Sequence, residues 1–285
     1  MFKNILVPVS SEFHPKEVLE RSVFLAEKFR SSITIIYIIE EKMLHQTDRL
    51  SDTVRTYYDR GKIKREIVRE QMRAADSIIF EDAKLFFRKK GISFDAKIVK
   101  GEYSDVVKQE LTEKNYDLIV MGFEKGSILH YRLLDEVKIP IWVEAEGEGH
   151  SILAICSNLA PNKKVPEISV GLAQILKWDL HMLYIVDIQD SVEVDEKGVR
   201  SNRKPLNDLI LKGEKFVEDM RRRGIKAQLI TGVLEKETIK AADAIKPNLV
   251  IVGREQKKKT ILGLPVKHFK KKMAEKSRYS ILFVN

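Results

Sequence analysis

The sequence predicts an α/β protein made of two tandem domains, each an open parallel sheet of five strands with helices on both faces. Two observations support this fold class. Short apolar runs suited to buried strands alternate along the chain with segments of helical periodicity, and strands separated by helices imply a parallel sheet with right-handed crossovers. The whole alternation then occurs a second time, as an internal repeat.

The repeat is visible in the order and spacing of the strands. Residues 22–39, SVFLAEKFRSSITIIYII, align without gaps with residues 169–186, SVGLAQILKWDLHMLYIV. Further along, DLIVMG (117–122) aligns with NLVIVG (248–253). The second alignment needs a smaller offset than the first, so the first copy carries extra residues in its middle.

The repeat and the length of 285 residues predict two domains. We assign domain 1 to residues 1–146, with a helical insertion at about 41–76, and domain 2 to residues 147–285. The join lies near EAEGEGH (144–150), which is acidic and poor in aliphatic residues.

Each element of the first copy has its own signal. ILVPV (5–9) is an apolar run typical of a strand buried on both faces. Residues 14–29 carry apolar side chains near helical spacing, and ITIIYII (33–39) is β-branched and aromatic, which favours a strand. Residues 62–90 are predicted to form one long amphipathic helix that ends at Gly91, a good C-cap. The remaining elements follow in the order strand FDAKIVK, helix DVVKQELTEK, strand DLIVMG, a short helix and strand IPIWVEA.

Composition limits the class of protein. The chain is 44% hydrophobic and 33% charged, which is ordinary for a soluble domain. It has no apolar run of about 18 residues and no signal-peptide pattern at its N-terminus, and its one cysteine is Cys156. A single cysteine excludes an internal disulfide and fits a reducing interior. We therefore expect a cytoplasmic protein with no membrane partner.

The net charge of +9 belongs to one segment. Residues 256–278 contain nine basic residues and one acidic residue. Three roles stay open for the basic segment 257–278: a solvated loop, a site for phosphate or an acidic partner that begins at Lys257, or a nucleic-acid surface. Nucleic acid is the least favoured partner, because Phe269 is the only aromatic residue interleaved with the lysines.

No catalytic or metal centre is predicted. None of the six histidines has another His, a Cys or a carboxylate at metal-ligand spacing. Cys156 lies within a strand run and is interpreted as a buried, unreactive residue. Trp142 and Trp178 are interpreted as packing residues.

A ligand crevice is predicted at the carboxyl ends of the strands. In doubly wound sheets, ligands lie there, where the chain reverses direction across the sheet. If the first strand is central and the fourth is its neighbour, the loops after Val9 and Met121 share that crevice. The stretch DLIVMGFEKGS (117–127) then lies where a site is expected.

NILVPVS (4–10), the helix and strand at 22–40, and the pair GEYSDVV and DLIVMG resemble the universal stress protein family in tandem form. The resemblance covers each half once. It implies open sheets of five parallel strands and pairing of domains, here between the two halves. A further homo-oligomer and an unidentified protein partner stay open.

Members of this family that bind adenine nucleotides have an aspartate after the first strand and the pattern G-x2-G-x9-G-[ST] after the fourth. Here Ser10 and Ser157 stand at the aspartate position. The first glycine is kept as Gly122 and Gly253, but the second is displaced to Gly126 in the first half and is absent in the second. Glycines let backbone N–H groups approach phosphate oxygens, so the resemblance implies an incomplete phosphate loop.

ATP or AMP is the candidate cofactor, and none is certain. A serine can still form hydrogen bonds, and the backbone at Ile38, the family's adenine-contact position, can still contact an adenine edge. The candidate cofactor-binding residues are Pro8, Val9, Ser10, Ile38, Gly101, Gly122, Gly126, Ser157, Gly232, Gly253 and Lys257.

Three classes of function follow. The first is a non-catalytic regulatory or scaffold protein of the stress response with degenerate nucleotide pockets. The second is an adenine-nucleotide sensor, in which binding changes domain pairing or partner choice. An ATPase or nucleotidyl transferase has the least support, because the sequence offers no general base, no metal-binding carboxylates and no complete phosphate loop.

Overall fold

The chain is described by a computed structural model. The description covers residues 1–10, 16–40, 65–70, 73, 83–122, 133–134, 136–145, 149–254, 273 and 278–284. The chain divides into two compact units, Met1–Val137 and Lys138–Asn285.

The first unit is a parallel sheet with the order β3-β2-β1-β4. This order puts β1 in the interior of the sheet with β4 beside it, as the predicted crevice requires. The described elements of the unit are β1 (Asn4–Ser10), α1 (Lys16–Phe29), β2 (Ser32–Glu40), α2 (Ala83–Lys90), β3 (Phe94–Gly101), α3 (Tyr103–Glu113) and β4 (Leu118–Gly122).

The second unit has the same strand order with two further strands. Its parallel strands follow the order β8-β7-β6-β9-β10, and β5 pairs with β10 in the antiparallel direction. The described elements are β5 (Ile141–Glu144), β6 (Ser151–Ser157), α4 (Lys164–Leu176), β7 (Asp179–Asp187), α5 (Leu206–Arg222), β8 (Lys226–Gly232), α6 (Leu234–Ile245), β9 (Leu249–Gly253) and β10 (Ser280–Val284).

The sequence prediction made β5 the last strand of domain 1, and the structure adds its antiparallel partner, β10. In the structure, Trp142 of β5 is opposite Leu282 of β10. The Trp142 Nε1–H donates to the Glu144 carboxylate at 2.6 Å, and the Ser280 hydroxyl donates to the same carboxylate at 3.0 Å. The compact units therefore divide after Val137. The domain boundary at 146/147 stays a prediction about the repeat.

Equivalent residues of the repeat form the same contacts in the two units. Ser22 and Ser169 are fully buried, and each donates its hydroxyl to the carbonyl four residues earlier at 2.6 Å, Val18 in α1 and Val165 in α4. These bonds satisfy hydroxyls that face the core from a helix. All residues of β4 and β9 are buried, as expected for strands covered on both faces.

The long helix predicted over residues 62–90 is helical wherever it is described, at 65–70, at 73 and in α2. The insertion predicted at about 41–76 lies largely outside the described residues. Gly91 ends α2 with φ of +65°, a conformation that favours glycine, and the N–H of Ile92 bonds to the Phe87 carbonyl at 3.1 Å. Within the described part of the chain, no helix has the length and apolarity needed to span a bilayer.

Candidate nucleotide crevice

The first unit brings several predicted residues to one edge of its sheet. Ser10 at the end of β1 is the register partner of Ile38 in β2, and Ile38 is the partner of Val99 in β3. Gly101 ends β3, and Gly122 ends β4 on the other side of β1. Ser10 and Ile38 are buried, at 1% and 0% exposure. The exposure of Ile38 counts its backbone as well as its side chain, so the contact between its backbone and an adenine edge stays a prediction.

A tyrosine that the sequence analysis did not single out lies across this edge. Tyr103, the first residue of α3, is buried, and its hydroxyl donates to the Pro8 carbonyl at 3.2 Å. The turn before it requires glycine, because φ at Gly101 is +151° and a Cβ there would lie 2.8 Å from the Val106 side chain. Gly101 thus allows close packing of α3, and Tyr103 covers the end of β1.

The N-terminus of α3 already has a negative partner. The Glu102 carboxylate is at the N-cap and accepts hydrogen bonds from the hydroxyl and the backbone N–H of Ser104. A helix N-terminus attracts anions through its free N–H groups and its dipole. Because a carboxylate occupies this position, α3 is a poor site for a phosphate.

For two of the predicted site residues, the structure gives no position. Gly126 follows β4, and Lys257 follows β9. Both lie outside the described residues, as does most of the basic segment 257–278.

In the second unit, the turn after β6 is closed by its own hydrogen bonds. The Asn162 side chain accepts from the N–H of Ser157 at 3.1 Å and donates to its carbonyl at 2.9 Å. The Ser157 hydroxyl accepts from the Leu159 N–H at 3.2 Å. Ser157, at the family's aspartate position, therefore stabilises the turn.

The same turn packs against the end of β9. A Cβ added at Gly253 would lie 3.0 Å from the Cβ of Ala160 and 3.4 Å from both the Pro161 carbonyl oxygen and the Val165 side chain. The contact distance of ordinary carbon atoms is about 3.5–4.0 Å. Gly253 therefore allows the end of β9 and this turn to pack closely.

Asn158 joins the ends of two strands and was missed by the sequence analysis. Its side-chain oxygen accepts from the Asp187 N–H at 2.7 Å, at the end of β7. Its amide group donates to the carbonyls of Asp190 at 3.1 Å and Val192 at 2.7 Å. Asn158 is 1% exposed, so its side chain is enclosed between the end of β6 and the segment that follows β7. The only sequence signal was a polar residue directly after a predicted strand.

Asp187 supplies the negative charge at the start of α6. One carboxylate oxygen accepts from the N–H groups of Gln189 and Asp190, each at 2.9 Å, and the other accepts from the Leu234 N–H at 2.8 Å. The Gly232 carbonyl beside it accepts from the Ile188 N–H at 3.1 Å. The Leu234 N–H, at the first residue of α6, is thus bonded to the protein itself.

The segment 188–204 is held over these strand ends. Val192 and Val194 are buried, at 6% and 4% exposure, and Val194 donates its N–H to the Asn158 carbonyl at 2.9 Å. An ion pair between Arg200 and Asp190 closes the segment on itself. The segment is therefore fixed to the end of β6 through Asn158.

Cys156 carries no reactive thiolate. Burial, with a smaller contribution from the charge of Glu196, raises the pKa of the Cys156 thiol well above its usual range. The thiol is 1% exposed. It stays protonated at neutral pH, as expected for the structural residue that the sequence indicated.

The family follows from a comparison with known families. Residues 1–137, the whole of the first unit, match the model of the Universal stress protein family. Residues 1–137 are a universal stress protein domain. No curated protein matches the sequence significantly.

Solved structures extend the universal stress protein fold to the rest of the chain. One is a universal stress protein from Archaeoglobus fulgidus DSM 4304, with 13% identity, a TM-score of 0.65, and coverage of 99% of this chain and 98% of that one. A putative universal stress protein from Pseudomonas aeruginosa UCBPP-PA14 has 12% identity and the same TM-score, with 99% and 93% covered. A functionally unknown protein, PA1789 from Pseudomonas aeruginosa PAO1, also has 12% identity and a TM-score of 0.65, with 99% and 92% covered. At these identities the likeness concerns the fold alone.

Proposed function

We propose that this universal stress protein is a non-catalytic regulatory or scaffold protein of the stress response, with a degenerate nucleotide pocket in its second half. One observation carries the proposal. Asn158 bonds with its side chain to the ends of β6 and β7 and to the segment that covers them. A nucleotide would need the same space and the same backbone groups.

Charge supports this reading. The Asp187 carboxylate accepts the Leu234 N–H at the start of α6 and is 4% exposed. A phosphate in the same place would have to displace a buried carboxylate that already has three donors, or remain beside it. Like charges at close range in a poorly solvated site repel strongly.

A nucleotide sensor located in the first half is the second candidate. Its support is the adjacency of Ser10, Ile38 and Gly122 at one sheet edge. Tyr103 and the Glu102 carboxylate leave less room for a ligand there. Any bound phosphate would depend on the loop after Gly122.

Isothermal titration calorimetry with ATP, ADP and AMP separates the two candidates. The scaffold proposal expects no saturable heat for any of the three. The sensor expects saturable heat that disappears in Gly122→Val and survives in Gly253→Val, which alters the second unit. The circular dichroism and thermal unfolding of each variant establish that it is folded. If the wild type gives saturable heat and folded Gly253→Val does not, the proposal of a degenerate pocket in the second half is overturned.

A genetic test addresses the regulatory role. A deletion strain exposed to a panel of stress conditions is expected to lose viability in at least one of them, and the wild-type chain and Gly122→Val are expected to restore it equally. Restoration by the wild type but not by folded Gly122→Val would favour the sensor. Failure of the wild-type chain to affect survival would remove the stress-response role. In this proposal the protein acts in the cytoplasm as a tandem pair of domains, on a protein partner rather than on nucleic acid.

A further inference from the structure

The second unit contains a cavity of about 980 Å³ between α4 and α5. Ligand pockets typically measure about 300–1,000 Å³. None of the three predicted site residues that the structure describes in this unit (Ser157, Gly232 and Gly253) lines it, and neither does Asp187. Asn162 and residues 193–196, from the turn and the segment described above, do line it, so the cavity adjoins the crevice without including these strand ends.

Two aromatic rings form its inner wall. Tyr184 of β7 and Phe216 of α5 have ring centroids 5.0 Å apart at an interplanar angle of 44°. Gly213, one turn before Phe216, allows α5 to approach this closely, because a Cβ there would lie 2.9 Å from the Tyr184 ring and 2.6 Å from the Leu229 side chain. Apolar side chains of Pro166, Val170 and Met220 line the cavity beside the rings.

The Tyr184 hydroxyl has no partner among the described residues. The residue is 2% exposed and lines the cavity, yet its hydroxyl forms no hydrogen bond with any residue that the structure describes. The hydroxyl oxygen is not one of the fully buried polar atoms that lack a partner, so it faces the open space of the cavity, where water or a ligand can accept its hydrogen bond. Burial also raises the pKa of Tyr184, so the hydroxyl keeps its proton and remains a donor at neutral pH.

The charged side chains at the cavity largely compensate each other. Four basic and five acidic residues line it. Lys212 is paired with Glu193, and Arg223 is paired with Asp219. A nearly balanced rim gives no strong preference for an anion or a cation, so the rings and the hydroxyl decide what binds.

We propose that this cavity is a binding site for an uncharged, flat aromatic molecule that carries a hydrogen-bond acceptor. The ring of the ligand packs against Tyr184 and Phe216, and its acceptor atom accepts a hydrogen bond from the Tyr184 hydroxyl. The site is independent of the proposed function, since it would exist whether or not the crevice binds a nucleotide.

Two molecules of the same shape test the hydrogen bond. Quinoline has a ring nitrogen that accepts, and naphthalene has none. Their dissociation constants are measured by ligand-observed NMR titration on the full chain. Tyr184→Phe is expected to raise the dissociation constant of quinoline by about 2- to 10-fold, the range for one net hydrogen bond. The dissociation constant of naphthalene should not change. Tyr37→Phe, at the equivalent position of the first unit, is the matched control and should change neither.

Filling the cavity tests its location. Val170→Trp is expected to abolish the binding of both probes, while Ala244→Trp, in a separate cavity of about 590 Å³, should leave it intact. If Val170→Trp does not fold by circular dichroism, Glu167→Trp at the same cavity replaces it. The proposal is overturned if the folded Trp variant binds as the wild type does, if Tyr184→Phe weakens both probes equally, or if the wild type binds neither probe.

Discussion

The side-chain oxygen of Asn158 accepts a hydrogen bond of 2.7 Å from the backbone N–H of Asp187, which joins the carboxyl ends of β6 and β7. Asn158→Ala removes this bond and two others and leaves the buried Asp187 N–H without an acceptor. An unsatisfied buried donor costs about 1–3 kcal/mol. We therefore expect the free energy of unfolding of the second unit to fall by about 2–3 kcal/mol, measured by urea denaturation.

Two further variants make that result specific. Asn202→Ala, at an exposed position, should change the free energy of unfolding by less than about 0.5 kcal/mol. Asn158→Asp keeps the acceptor for Asp187 but loses the two donated bonds, so it should destabilise as well. If Asn158→Ala is as stable as Asn202→Ala, the strand ends are not held in this way.

Glu110 of α3 is a buried carboxylate held by two donors. It is 2% exposed, pairs with Lys97 of β3 and accepts the Tyr116 hydroxyl at 2.6 Å. Glu110→Gln weakens both bonds without changing the size of the side chain. Hydrogen bonds to charged groups contribute about 1.5–3 kcal/mol, and Lys97 is partly exposed, so we expect a loss of about 1–2 kcal/mol at neutral pH, measured by denaturant unfolding.

The same pair gives a pH dependence. Burial raises the pKa of Glu110, but the hydrogen bonds from Lys97 and Tyr116 outweigh burial, and the net pKa is below the ordinary value of 4.5. A lowered pKa stabilises the fold above the ordinary value, and this stabilisation is lost as the pH falls below 4.5 towards the folded pKa. The difference in unfolding free energy between wild type and Glu110→Gln should shrink over that range. A difference that grows on acidification would mean that the carboxylate is destabilised by its surroundings.

Gly213 of α5 faces the ring of Tyr184 and the side chain of Leu229. Alanine favours a helix by up to about 1 kcal/mol over glycine, but the added methyl would lie within 3.0 Å of both side chains. Overpacking typically costs about 1–3 kcal/mol. Gly213→Ala should thus lower the thermal unfolding midpoint although it improves helix propensity. Glu214→Ala, at the exposed neighbouring position, should leave the midpoint nearly unchanged. A raised midpoint in Gly213→Ala would mean that α5 has room to move away.

Cys156 should not react in the folded protein. Its thiol is buried and its pKa is raised, so both access and thiolate are lacking. Titration with a chromogenic disulfide reagent should give no reaction in native buffer and one equivalent in denaturing guanidinium. Rapid reaction of the native protein would place the thiol at an accessible surface.

The sequence was sufficient to predict features that depend on local pattern. Short stretches of sequence encode the apolar runs of β1 and β2 and the glycine cap at Gly91. The repeat that pairs Ser22 with Ser169 is visible because each copy keeps the same short motifs. The α/β fold class was predicted from such patterns and is confirmed by the structure. The resemblance to the universal stress protein family is confirmed for residues 1–137 by the family match.

The interior of the crevice could not be predicted in this way. The hydrogen bonds of Asn158 to Asp187 and Val192 join residues about thirty positions apart. The hydrogen bond of Tyr103 to Pro8 joins residues 95 positions apart. Such contacts depend on the geometry of turns and helices after folding. The antiparallel direction in which Trp142 pairs with Leu282 was not predicted either, because the direction of strand pairing leaves no local signal.

Native mass spectrometry with added ATP tests the central claim most directly, because it counts bound nucleotides on the intact chain. We expect the bare mass of 32.9 kDa to persist in ATP at concentrations typical of cells. A peak heavier by one ATP, present in the wild type and lost in folded Gly253→Val, would contradict the claim that the protein's own groups fill the crevice of the second unit.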